Sequence, residues 1–579
     1  MQKKKFHLSI VGLLSLGYFI TIIIGTLLLL LPISNNTQDK IHWYDALFTA
    51  TSATCVTGLI PFPTTSWTKF GQIVIVCLIQ IGGLGFMTII SLIFMIFKKN
   101  IGIYNRTVLM QSAGGYNISG VTKLIGRIVF LTFFFELCGT VILSICFSKT
   151  MKASDAIYYG IFHSISAFCN AGFDLFGVSL INFKSDWVVL LTIMGLILVG
   201  GLGFVVWSDF LDHGLNFKKY ELHSKIVLVF NGLLVIIPAL LFFIFEFTKI
   251  GNLGSFTNLS LSDKILNSLF LSVTPRTAGF NALDLNNLTS SGKLLTIILM
   301  FIGGSSGSTA GGVKVTTIVI VIANLIFLSK GKKDTVLFKR RIRNTIIKQS
   351  SALVEAYLIL TLLATLIICA IESNCSLENV LFEVISGLCT VGLSLGLSGN
   401  CSIATKLILT FLMYIGRLGI GRLIMKSFLI IGIGEFGKHL AYKLQEMGNE
   451  VCIIDNDKSV IEVLSNDFEN VYVGDCMNKI VLNDLGIKNF DACIVAIGQS
   501  FQASLEITSH LKELGAKYII SKANSDIQTK FLKMAGANET VYPEKDMAEK
   551  IAVKCNATNL LDYLKISSKF SIFEIEVPR

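Results

Sequence analysis

The segment Thr54-Cys55-Val56-Thr57-Gly58-Leu59 places a glycine behind a short polar stretch, between two long apolar runs. The arrangement recurs as Phe168-Cys169-Asn170-Ala171-Gly172-Phe173, Arg276-Thr277-Ala278-Gly279-Phe280 and Cys389-Thr390-Val391-Gly392-Leu393. A second glycine signature follows each time, as Ile81-Gly82-Gly83-Leu84-Gly85, Val199-Gly200-Gly201-Leu202-Gly203, Ile302-Gly303-Gly304-Ser305 and Ile415-Gly416-Arg417-Leu418-Gly419. The two signatures are separated by about 24 to 28 residues, and such a fixed spacing indicates a repeated structural unit.

The composition indicates a membrane protein. Hydrophobic residues make up 53% of the 579 residues and charged residues 15%, and the mean hydropathy is +0.69. Apolar runs at Leu8–Leu31, Gln72–Phe97 and Trp187–Val206 reach the roughly 20 residues needed to cross a bilayer core. The first run ends at Pro32 without a cleavage pattern, so we interpret it as a retained span rather than a secretory signal.

The net charge of +11 comes from basic residues in the loops that join the repeats, at Lys98-Lys99, Lys218-Lys219 and Lys330 to Arg343. An excess of such residues labels cytoplasmic loops. We therefore predict a multi-pass plasma (inner) membrane protein with a cytoplasmic N terminus and a cytoplasmic C-terminal domain. Nucleic acid is not a predicted partner, because basic and aromatic residues are not interleaved on a soluble segment. The 13 cysteines lack metal-ligand spacing.

The predicted fold is an α-helical membrane protein with four channel-like helix/re-entrant-loop/helix repeats, followed by a soluble α/β Rossmann-like domain. Residues 1–424 form the pore domain, with repeats at about 8–97, 122–212, 224–328 and 345–424. Its short half-helices start near carboxylates, which suit helix N termini, and span Tyr44–Ala53, Asp155–Phe168, Asp263–Val273 and Glu378–Leu388. From residue 425 to 579, apolar strands alternate with amphipathic helices, which predicts a parallel sheet. The predicted strands are Ser427–Gly432, Glu450–Asp455, Asp491–Ile497 and Tyr518–Lys522.

The first glycine signatures predict an ion-selectivity filter. An ion leaves water only when fixed oxygens replace its hydration shell, and backbone carbonyls of extended loops can do this. The predicted filter residues are Val56, Thr57, Gly58, Asn170, Ala171, Gly172, Thr277, Ala278, Gly279, Thr390, Val391 and Gly392. Small residues before the glycines would let the loops approach one another. The alternative, that these are helix-packing glycines, is weakened by their fourfold recurrence.

The third unit carries a glycine-rich run where a continuous helix is expected, and it comprises Gly303, Gly304, Ser305, Ser306, Gly307, Ser308, Thr309, Ala310, Gly311 and Gly312. Each glycine costs a helix about 1 kcal/mol relative to alanine, so the span should be broken. A cytoplasmic linker is the alternative, but Leu294–Phe301 and Val313–Leu328 on either side are too apolar for it. Arg417 lies in an apolar span and should face a water-filled pore, although it could instead extend to the cytoplasmic surface.

Residues 8–420 resemble the pore subunit of the Ktr/Trk/HKT family of potassium uptake proteins. The resemblance implies that Gly58, Gly172, Gly279 and Gly392 line a potassium filter, and that glycine at position 58 favours potassium over sodium. It also implies a pore homodimer and a gate, residues 303–312, that lies below the filter and contacts Arg417. Passive, gated flow needs no catalytic residue, so we do not predict an enzyme.

The soluble domain opens with a dinucleotide-binding fingerprint, Gly432-Ile433-Gly434-Glu435-Phe436-Gly437, placed between a predicted strand and a predicted helix. Asp455 ends the next strand. Such glycines let backbone N–H groups approach phosphate, and the acid can accept ribose hydroxyls. The alternative is a sheet domain that keeps the turn without a ligand.

Residues 425–579 resemble the N-terminal half of the RCK regulatory domain of Ktr systems. The resemblance implies ATP, ADP or NAD(H) as ligand and self-association of the regulatory domains. The implied ligand-binding residues are Gly432, Gly434, Glu435, Phe436, Gly437, Asp455, Asp475, Ala496 and Lys522, with Glu544 as a candidate ligand of a regulatory cation. Glu435 stands where the family usually has an arginine, which puts ATP activation in question. We also expect that the C-terminal regulatory half is missing after Arg579, and that the join at about 420–425 reflects a fusion.

Two other functions stay open at this stage. One glycine per loop gives fewer ordered ion sites than a full channel filter, so a sodium-permeable or sodium-coupled transporter of the same fold is one alternative. A membrane NADH-dependent oxidoreductase is the other. It would need an electron-accepting cofactor, yet the seven histidines do not pair across spans.

Overall fold

The computed structural model describes residues 10–36, 41–85, 121–248, 256, 258–332, 334–419, 426–447, 449–465, 467–468, 470–556, 560–565 and 571–575. These residues fall into two units, one within residues 10–419 and one from residue 426 onward. The N-terminal lysines, the predicted end of the first repeat beyond Gly85 and the join at 420–425 lie outside the described residues.

In the first unit, a long helix, a short helix, a loop and another helix follow one another four times. The first set is α1 (Ile10–Leu29), α2 (Trp43–Thr54) and α3 (Lys69–Leu84). The second is α4 (Val121–Phe147), α5 (Ala153–Phe168), α6 (Trp187–Leu202) and α7 (Phe204–His213). The third is α8 (Leu222–Phe247), α9 (Leu261–Val273), α10 (Ser290–Phe301) and α11 (Val315–Ser329). After a β1–β2 hairpin (Val336–Leu337, Arg340–Arg341), the fourth is α12 (Asn344–Ile371), α13 (Leu377–Leu388), α14 (Leu397–Asn400) and α15 (Ile403–Leu418).

Three helical segments of the described part are long and apolar enough to cross a membrane: Gly126–Phe147, Leu222–Phe247 and Ile346–Ile371. The pair α6 and α7, bent by 91°, would count as a fourth. Shorter apolar helices span Ser15–Leu29, Lys69–Leu84, Ser290–Phe301 and Val315–Ser329. A helical membrane part with several apolar helices is thus confirmed, while the four re-entrant repeats stay a prediction.

The helix that follows each loop begins at a polar cap, because its first N–H groups have no helical partner. The capping side chains are those of Thr68, Asp186, Thr289 and Ser402. Three of these helices end at a glycine with positive φ, namely Gly85 (82°), Gly203 (92°) and Gly419 (82°). The apolar run Trp187–Val206 is divided between two helices, because the backbone of Gly203, with its positive φ, turns the chain sharply into α7.

The second glycine signatures are explained by close packing between helices. A Cβ atom at Gly82, Gly200 or Gly416 would lie 2.0, 1.9 or 1.9 Å from a backbone carbonyl oxygen. These oxygens belong to Thr54, Phe168 and Leu388, the last residues of the short helices α2, α5 and α13. Each glycine therefore lets one helix seat directly on the end of the short helix in its own set.

The second unit is built on a parallel six-stranded sheet with strand order β5-β4-β3-β6-β7-β8. Its strands are β3 (Ser427–Ile431), β4 (Glu450–Asp455), β5 (Asn470–Val473), β6 (Ala492–Val495), β7 (Ile519–Lys522) and β8 (Glu539–Val541). The helices are α16 (Glu435–Glu446), α17 (Lys458–Leu464), α18 (Lys479–Asp484), α19 (Phe501–Glu513), α20 (Asp526–Ala535) and α21 (Pro543–Asn556). An antiparallel pair, β9 (Leu560–Lys565) and β10 (Ser571–Ile575), follows.

This strand order is that of the dinucleotide-binding fold, in which the order reverses between the first and fourth strands. Here those strands are β3 and β6, which pair in parallel along Phe428–Ile431. The predicted parallel-sheet Rossmann-like domain is confirmed. Apolar side chains cover both faces of the sheet, with Leu429 and Ile431 in one buried cluster and Ile430 and Ile453 in the other.

Candidate functional site

The four glycine loops of the first unit converge into a ring. A Cβ atom at Gly58 would lie 2.4 Å from the carbonyl oxygen of Ala171 and 3.3 Å from the Cα atoms of Gly172 and Gly392. The other three glycines make the same kind of contact with the backbone carbonyl oxygen of the next loop. A Cβ atom at Gly172 would lie 2.6 Å from the oxygen of Ala278, and a Cβ atom at Gly279 would lie 2.6 Å from the oxygen of Val391. A Cβ atom at Gly392 would lie 2.1 Å from the oxygen of Thr57. The contacts close on themselves in chain order, so Gly58 stands opposite Gly279 and Gly172 opposite Gly392.

The four loops share an unusual backbone conformation. The residue two positions before each glycine has positive φ, at Val56 (56°), Asn170 (60°), Thr277 (65°) and Thr390 (51°). The glycines follow with φ of 96°, 70°, 76° and 93°. For β-branched residues this conformation is a genuine outlier that costs about 1–3 kcal/mol and persists only where surrounding contacts impose it.

The residues immediately before the glycines, Thr57, Ala171, Ala278 and Val391, have fully buried side chains. Their carbonyl oxygens, rather than their side chains, approach the neighbouring glycines. The expectation that small side chains permit the approach of the loops is therefore incomplete, since the missing Cβ of the glycine is what makes room.

A hydroxyl residue near the end of each short helix anchors its loop. In the first set, Ser52 accepts the Thr57 N–H with its carbonyl (2.8 Å) and the Gly58 N–H with its Oγ (3.0 Å). Ser386 repeats both bonds to Val391 (2.8 Å) and Gly392 (3.1 Å). In the other two sets, Ser166 Oγ donates to the Phe173 carbonyl at 2.8 Å, and Thr274 Oγ1 donates to the Phe280 carbonyl at 2.5 Å.

These anchors were not among the predicted site residues, although the sequence contains a signal for them. A serine lies six residues before the glycine in three sets, and a threonine five residues before it in the third.

Residues 303–312 form a strap between α10 and α11, so the predicted break in this span is confirmed. The two ends of the strap are joined by hydrogen bonds from Gly303 N to Val313 O (2.9 Å) and from Val315 N to Gly304 O (3.1 Å). The strap is thus a loop whose first and last residues lie side by side, between the end of α10 and the start of α11.

The strap packs against the ends of the second set of helices. Ser305 N donates to Gly201 O (3.1 Å), and Gly307 O accepts from Phe204 N (2.8 Å) across the bend at Gly203. Thr309 Oγ1 donates to Phe168 O at 3.2 Å. These bonds use carbonyls at the ends of α5 and α6 and the N–H at the start of α7, groups that have no partner within their own helices.

The other arm of the strap touches the fourth loop. A Cβ atom at Gly311 would lie 1.8 Å from Thr390 Oγ1, and one at Gly312 would lie 3.4 Å from the Cys389 carbonyl oxygen. Lys314 Nζ donates to the carbonyl of Ala310 at 2.7 Å. The strap therefore lies directly behind two opposite glycine loops of the ring, at the short-helix ends.

Arg417 connects the strap to the first set of helices. Its guanidinium donates one hydrogen bond to the Thr309 carbonyl and one to the Gly82 carbonyl. Hydrogen bonds from a charged donor are roughly twice as strong as neutral ones. The structure places this arginine inside the helical unit, half-buried, rather than extended to a surface.

In the second unit, the three fingerprint glycines have different roles. Gly432 has a φ of 86°, which favours glycine. A Cβ atom at Gly437 would lie 2.3 Å from the Gly432 carbonyl oxygen, so this glycine permits close packing of helix on turn. No heavy atom in the described part of the chain lies within 4 Å of a Cβ built on Gly434, so its backbone is open to an approaching group.

The predicted ligand-binding residues lie at the carboxyl ends of neighbouring strands. Asp455 ends β4, and its carboxylate accepts from Ile433 N at 2.7 Å and Asp457 N at 2.9 Å. Asp475 follows β5 and accepts from Met477 N at 2.9 Å. Ala496 follows β6. A carboxylate has about four lone-pair positions, so Asp455 keeps acceptor capacity for ribose hydroxyls while it holds the glycine turn.

Lys522 and Glu544 form an ion pair of 2.9 Å at the same edge of the sheet. The hydrogen bond from Lys522 lowers the pKa of the Glu544 carboxyl below its ordinary value. Lys522 Nζ also lies 6.0 Å from the centre of the Phe436 ring. Glu544 is thus paired with a positively charged side chain of the protein. The described residues contain no cluster of three His, Cys, Asp or Glu side chains that could hold a metal ion.

Glu435, in the glycine turn, has an exposed side chain. Its Oε2 atom lies 3.7 Å from His439 Nε2.

The sequence profile of the TrkH family, described as cation transport proteins, matches residues 17–430. The chain belongs to the TrkH family. The profile of the TrkA-N domain matches residues 428–543, so a TrkH-family pore region and a TrkA-N domain share one chain. The resemblance to a Ktr/Trk pore joined to the N-terminal half of an RCK domain is confirmed. The TrkH family is one of transporters and not of enzymes.

Two relatives cover most of the TrkH region. The potassium/sodium uptake protein NtpJ of Enterococcus hirae is 41% identical over 419 residues, which cover 72% of this chain and 92% of that protein. The Ktr system potassium uptake protein B of Bacillus subtilis is 41% identical over 407 residues, which cover 70% and 90%. The crystal structure of the potassium transporter TrkH from Vibrio parahaemolyticus aligns with a TM-score of 0.58 at 18% identity, over 73% of this chain and 85% of that one. That likeness shows the fold.

Proposed function

We propose that this TrkH-family chain takes up potassium across the plasma membrane through a gated pore. The observation that carries the proposal is the closed ring of Gly58, Gly172, Gly279 and Gly392, in which carbonyl oxygens approach each neighbouring loop. Four carbonyl-bearing loops around one axis can replace the hydration shell of a monovalent cation without adding net charge. All four loops repeat the same positive φ angles, and this shared strained conformation supports a common role for the loops in one ring.

In the membrane, the four sets of helices become four channel-like units with re-entrant loops. Non-helical backbone at membrane depth is tolerated where it lines a water-filled cavity. The predicted topology puts the N terminus and the TrkA-N domain in the cytoplasm, and two pore regions form a homodimer. These arrangements rest on the charge distribution and on the family resemblance.

The strap, residues 303–312, acts as the gate of this pore. This segment of the third set contacts the second set of helices and the fourth loop directly, and it is linked to the first set through Arg417. Uptake through an open gate needs no chemical reaction to drive it.

The membrane potential supplies the driving force. A potential of about 150 mV could support a potassium gradient of several hundredfold, because 100 mV is worth about 2.3 kcal/mol per charge.

A nucleotide bound to the TrkA-N domain regulates the gate. The residues fit such a ligand, since Gly434 leaves its backbone open and Asp455 keeps free acceptor positions. We propose ATP, ADP or NAD(H), bound between the glycine turn and Asp455, Asp475, Ala496 and Lys522. The regulatory domains self-associate, and the ligand shifts the population of gate conformations by binding one of them more tightly. Glu544 could bind a regulatory cation only if its ion pair with Lys522 opened.

Rubidium uptake by the purified, reconstituted protein tests the proposal. We expect uptake to depend on the membrane potential and to differ between vesicles loaded with ATP, ADP or NADH. A Gly434→Ala variant is the control for regulation, because its added Cβ meets no heavy atom of the described residues within 4 Å but occupies the space that a phosphate would use. Equal flux with every nucleotide would refute the regulation, and the absence of rubidium flux under all conditions would refute the transport function.

Sodium permeation is the second candidate function. The 41% identical relative from Enterococcus hirae is named a potassium/sodium uptake protein, and each loop has a single glycine in the ring. Competition of sodium against rubidium in the same vesicles distinguishes the two. Strong competition at equal concentration would favour a sodium-permeable pore, and weak competition would favour a potassium-selective one.

A further inference from the structure

The short helices of the second and fourth sets carry a buried titratable side chain at the same position, nine residues before the ring glycine. In the second set it is His163, and in the fourth set it is Glu383; both are fully buried. The first set has Thr49 there. The anchoring hydroxyl of the third set is one residue closer to its glycine, so the corresponding residue is Leu271. Because Gly172 and Gly392 stand opposite each other in the ring, the two titratable groups support opposite loops.

Glu383 holds the segment that leaves the fourth loop. Its Oε1 atom accepts from Ser394 Oγ and from Ser398 N, both at 3.0 Å. Ser398 Oγ in turn donates to the Ile60 carbonyl at 3.3 Å, two residues after Gly58. One carboxylate oxygen therefore links the short helix of the fourth set to the outgoing segments of two adjacent loops.

His163 has the corresponding contact in the second set. Its Nδ1 lies 2.7 Å from the Tyr159 carbonyl, and its Nε2 lies 3.3 Å from the Leu175 backbone N. A carbonyl can only accept and a backbone N–H can only donate, so the ring is neutral, with its proton on Nδ1. Leu175 is three residues after Gly172, so this side chain also holds the outgoing segment of a ring loop.

We infer that Glu383 is a positioning residue for ion selectivity, which it controls by fixing the outgoing segments of the fourth and first loops. The inference rests on the proposed function and deepens it. The other carboxylate oxygen, Oε2, is buried without a hydrogen-bond partner in the described residues. Such a group destabilises the fold, so the contribution of this side chain lies in the bonds accepted by Oε1. Displacing either outgoing segment would move the carbonyls of Val391 or Thr57, which lie in the ring.

The test compares Glu383→Leu with Glu383→Gln in reconstituted vesicles, with rubidium and sodium uptake measured separately. Leucine keeps the volume and removes the acceptor, whereas glutamine keeps an acceptor oxygen for Ser394 and Ser398. We expect the rubidium-to-sodium uptake ratio to fall at least about tenfold in Glu383→Leu and to stay within about threefold of wild type in Glu383→Gln. Glu372→Leu is the matched control, because Glu372 also accepts two hydrogen bonds, from Ser402 N (2.8 Å) and Thr405 Oγ1 (2.7 Å), but at the start of α15.

The quantity and monodispersity of each purified variant show whether it has folded. If Glu383→Leu does not fold, Ser394→Ala replaces it, since this change lies outside any helix and removes the hydroxyl that donates to Glu383 and accepts from Gly396 N at 2.9 Å, and we expect an intermediate ratio. An unchanged ratio in the folded leucine or alanine variant would overturn the inference, as would the same loss in Glu372→Leu. A glutamine variant as unselective as the leucine variant would also overturn it, because charge rather than the acceptor would then matter. If wild type carries neither ion, the proposed function fails first, and the inference fails with it.

Discussion

Helix α6 contains two glycines whose replacement by alanine should have opposite effects. Gly195 and Gly200 lie in the same helix, Trp187–Leu202. A Cβ atom at Gly195 would have no heavy atom of the described chain within 4 Å, whereas a Cβ atom at Gly200 would lie 1.9 Å from the Phe168 carbonyl oxygen. We predict that Gly195→Ala preserves or raises thermal stability and that Gly200→Ala lowers it.

The magnitude follows from two terms. Alanine in place of glycine in a helix interior is favourable by about 1 kcal/mol, and this term applies to both variants. Overpacking typically costs about 1–3 kcal/mol, and it applies only to Gly200. The contact is with a backbone carbonyl at the end of α5, not with a flexible side chain, so the neighbouring helix must move. Because the first term cancels between the two variants, we expect their free energies of unfolding to differ by about 3 kcal/mol, the upper end of the overpacking range.

The assay is thermal unfolding of each full-length variant in detergent, followed by loss of the monodisperse peak, with rubidium uptake measured on the same preparations. Gly201→Ala serves as a second control, because its Cβ atom would make only an ordinary contact of 3.6 Å with Asn170 Nδ2. The Phe168 carbonyl also accepts from Thr309 of the strap, so Gly200→Ala should reduce uptake even in the fraction that stays folded. Equal stability of Gly195→Ala and Gly200→Ala would show that α6 does not seat on the end of α5.

Four further outcomes are expected. Gly58→Ser should lower the preference for rubidium over sodium about tenfold in competition assays, because its Cβ would lie 2.4 Å from a neighbouring ring carbonyl; an unchanged preference contradicts the ring. Arg417→Gln should raise the initial rate of rubidium uptake without activating nucleotide, since the strap loses its charge-assisted hydrogen bond from the guanidinium; unchanged rates would mean that the arginine does not hold the gate. Gly434→Ala should leave the melting temperature unchanged but weaken nucleotide binding, measured by calorimetry, at least about tenfold; full binding would place the ligand elsewhere. Glu544→Gln should lower stability slightly at neutral pH, and by less as the pH falls below about 4.3, the ordinary glutamate pKa. The reason is that Lys522 lowers the pKa of the Glu544 carboxyl, so its stabilising effect is fully present above the ordinary value and is lost as the pH falls through the folded-state value; an equal difference at every pH would contradict this.

Features set by local chemistry could be predicted from the sequence. The third short helix was expected at Asp263–Val273 and spans Leu261–Val273. Its acidic first turn and the following polar loop mark both ends. The strand Glu450–Asp455 was likewise predicted with its observed bounds, since a run of buried apolar residues ends there at an acid and a turn. The break at the glycine-rich strap followed from helix propensity alone.

Features that depend on distant parts of the chain were missed. The bend at Gly203 is stabilised by the hydrogen bond from Phe204 N to Gly307 O, which joins residues more than a hundred positions apart. Nothing in the apolar run from Trp187 to Val206 indicates that partner. The edge strands Asn470–Val473 and Glu539–Val541 were also missed, because they are short and partly polar, and their assignment depends on pairing with β4 and β7.

The four sets differ from one another at the second glycine signature, where the third set has the strap and the fourth set has Arg417. The first and second sets have glycine at the position that Arg417 occupies in the fourth, namely Gly83 and Gly201. A Cβ atom at Gly83 would lie 2.5 Å from Cys169 Sγ, so a larger side chain there would displace Cys169. In the fourth set this position faces the strap supplied by the third set, and the guanidinium finds the Thr309 carbonyl as its acceptor. Four identical sets would contain neither the strap nor the arginine, and these two departures contact each other directly through this hydrogen bond.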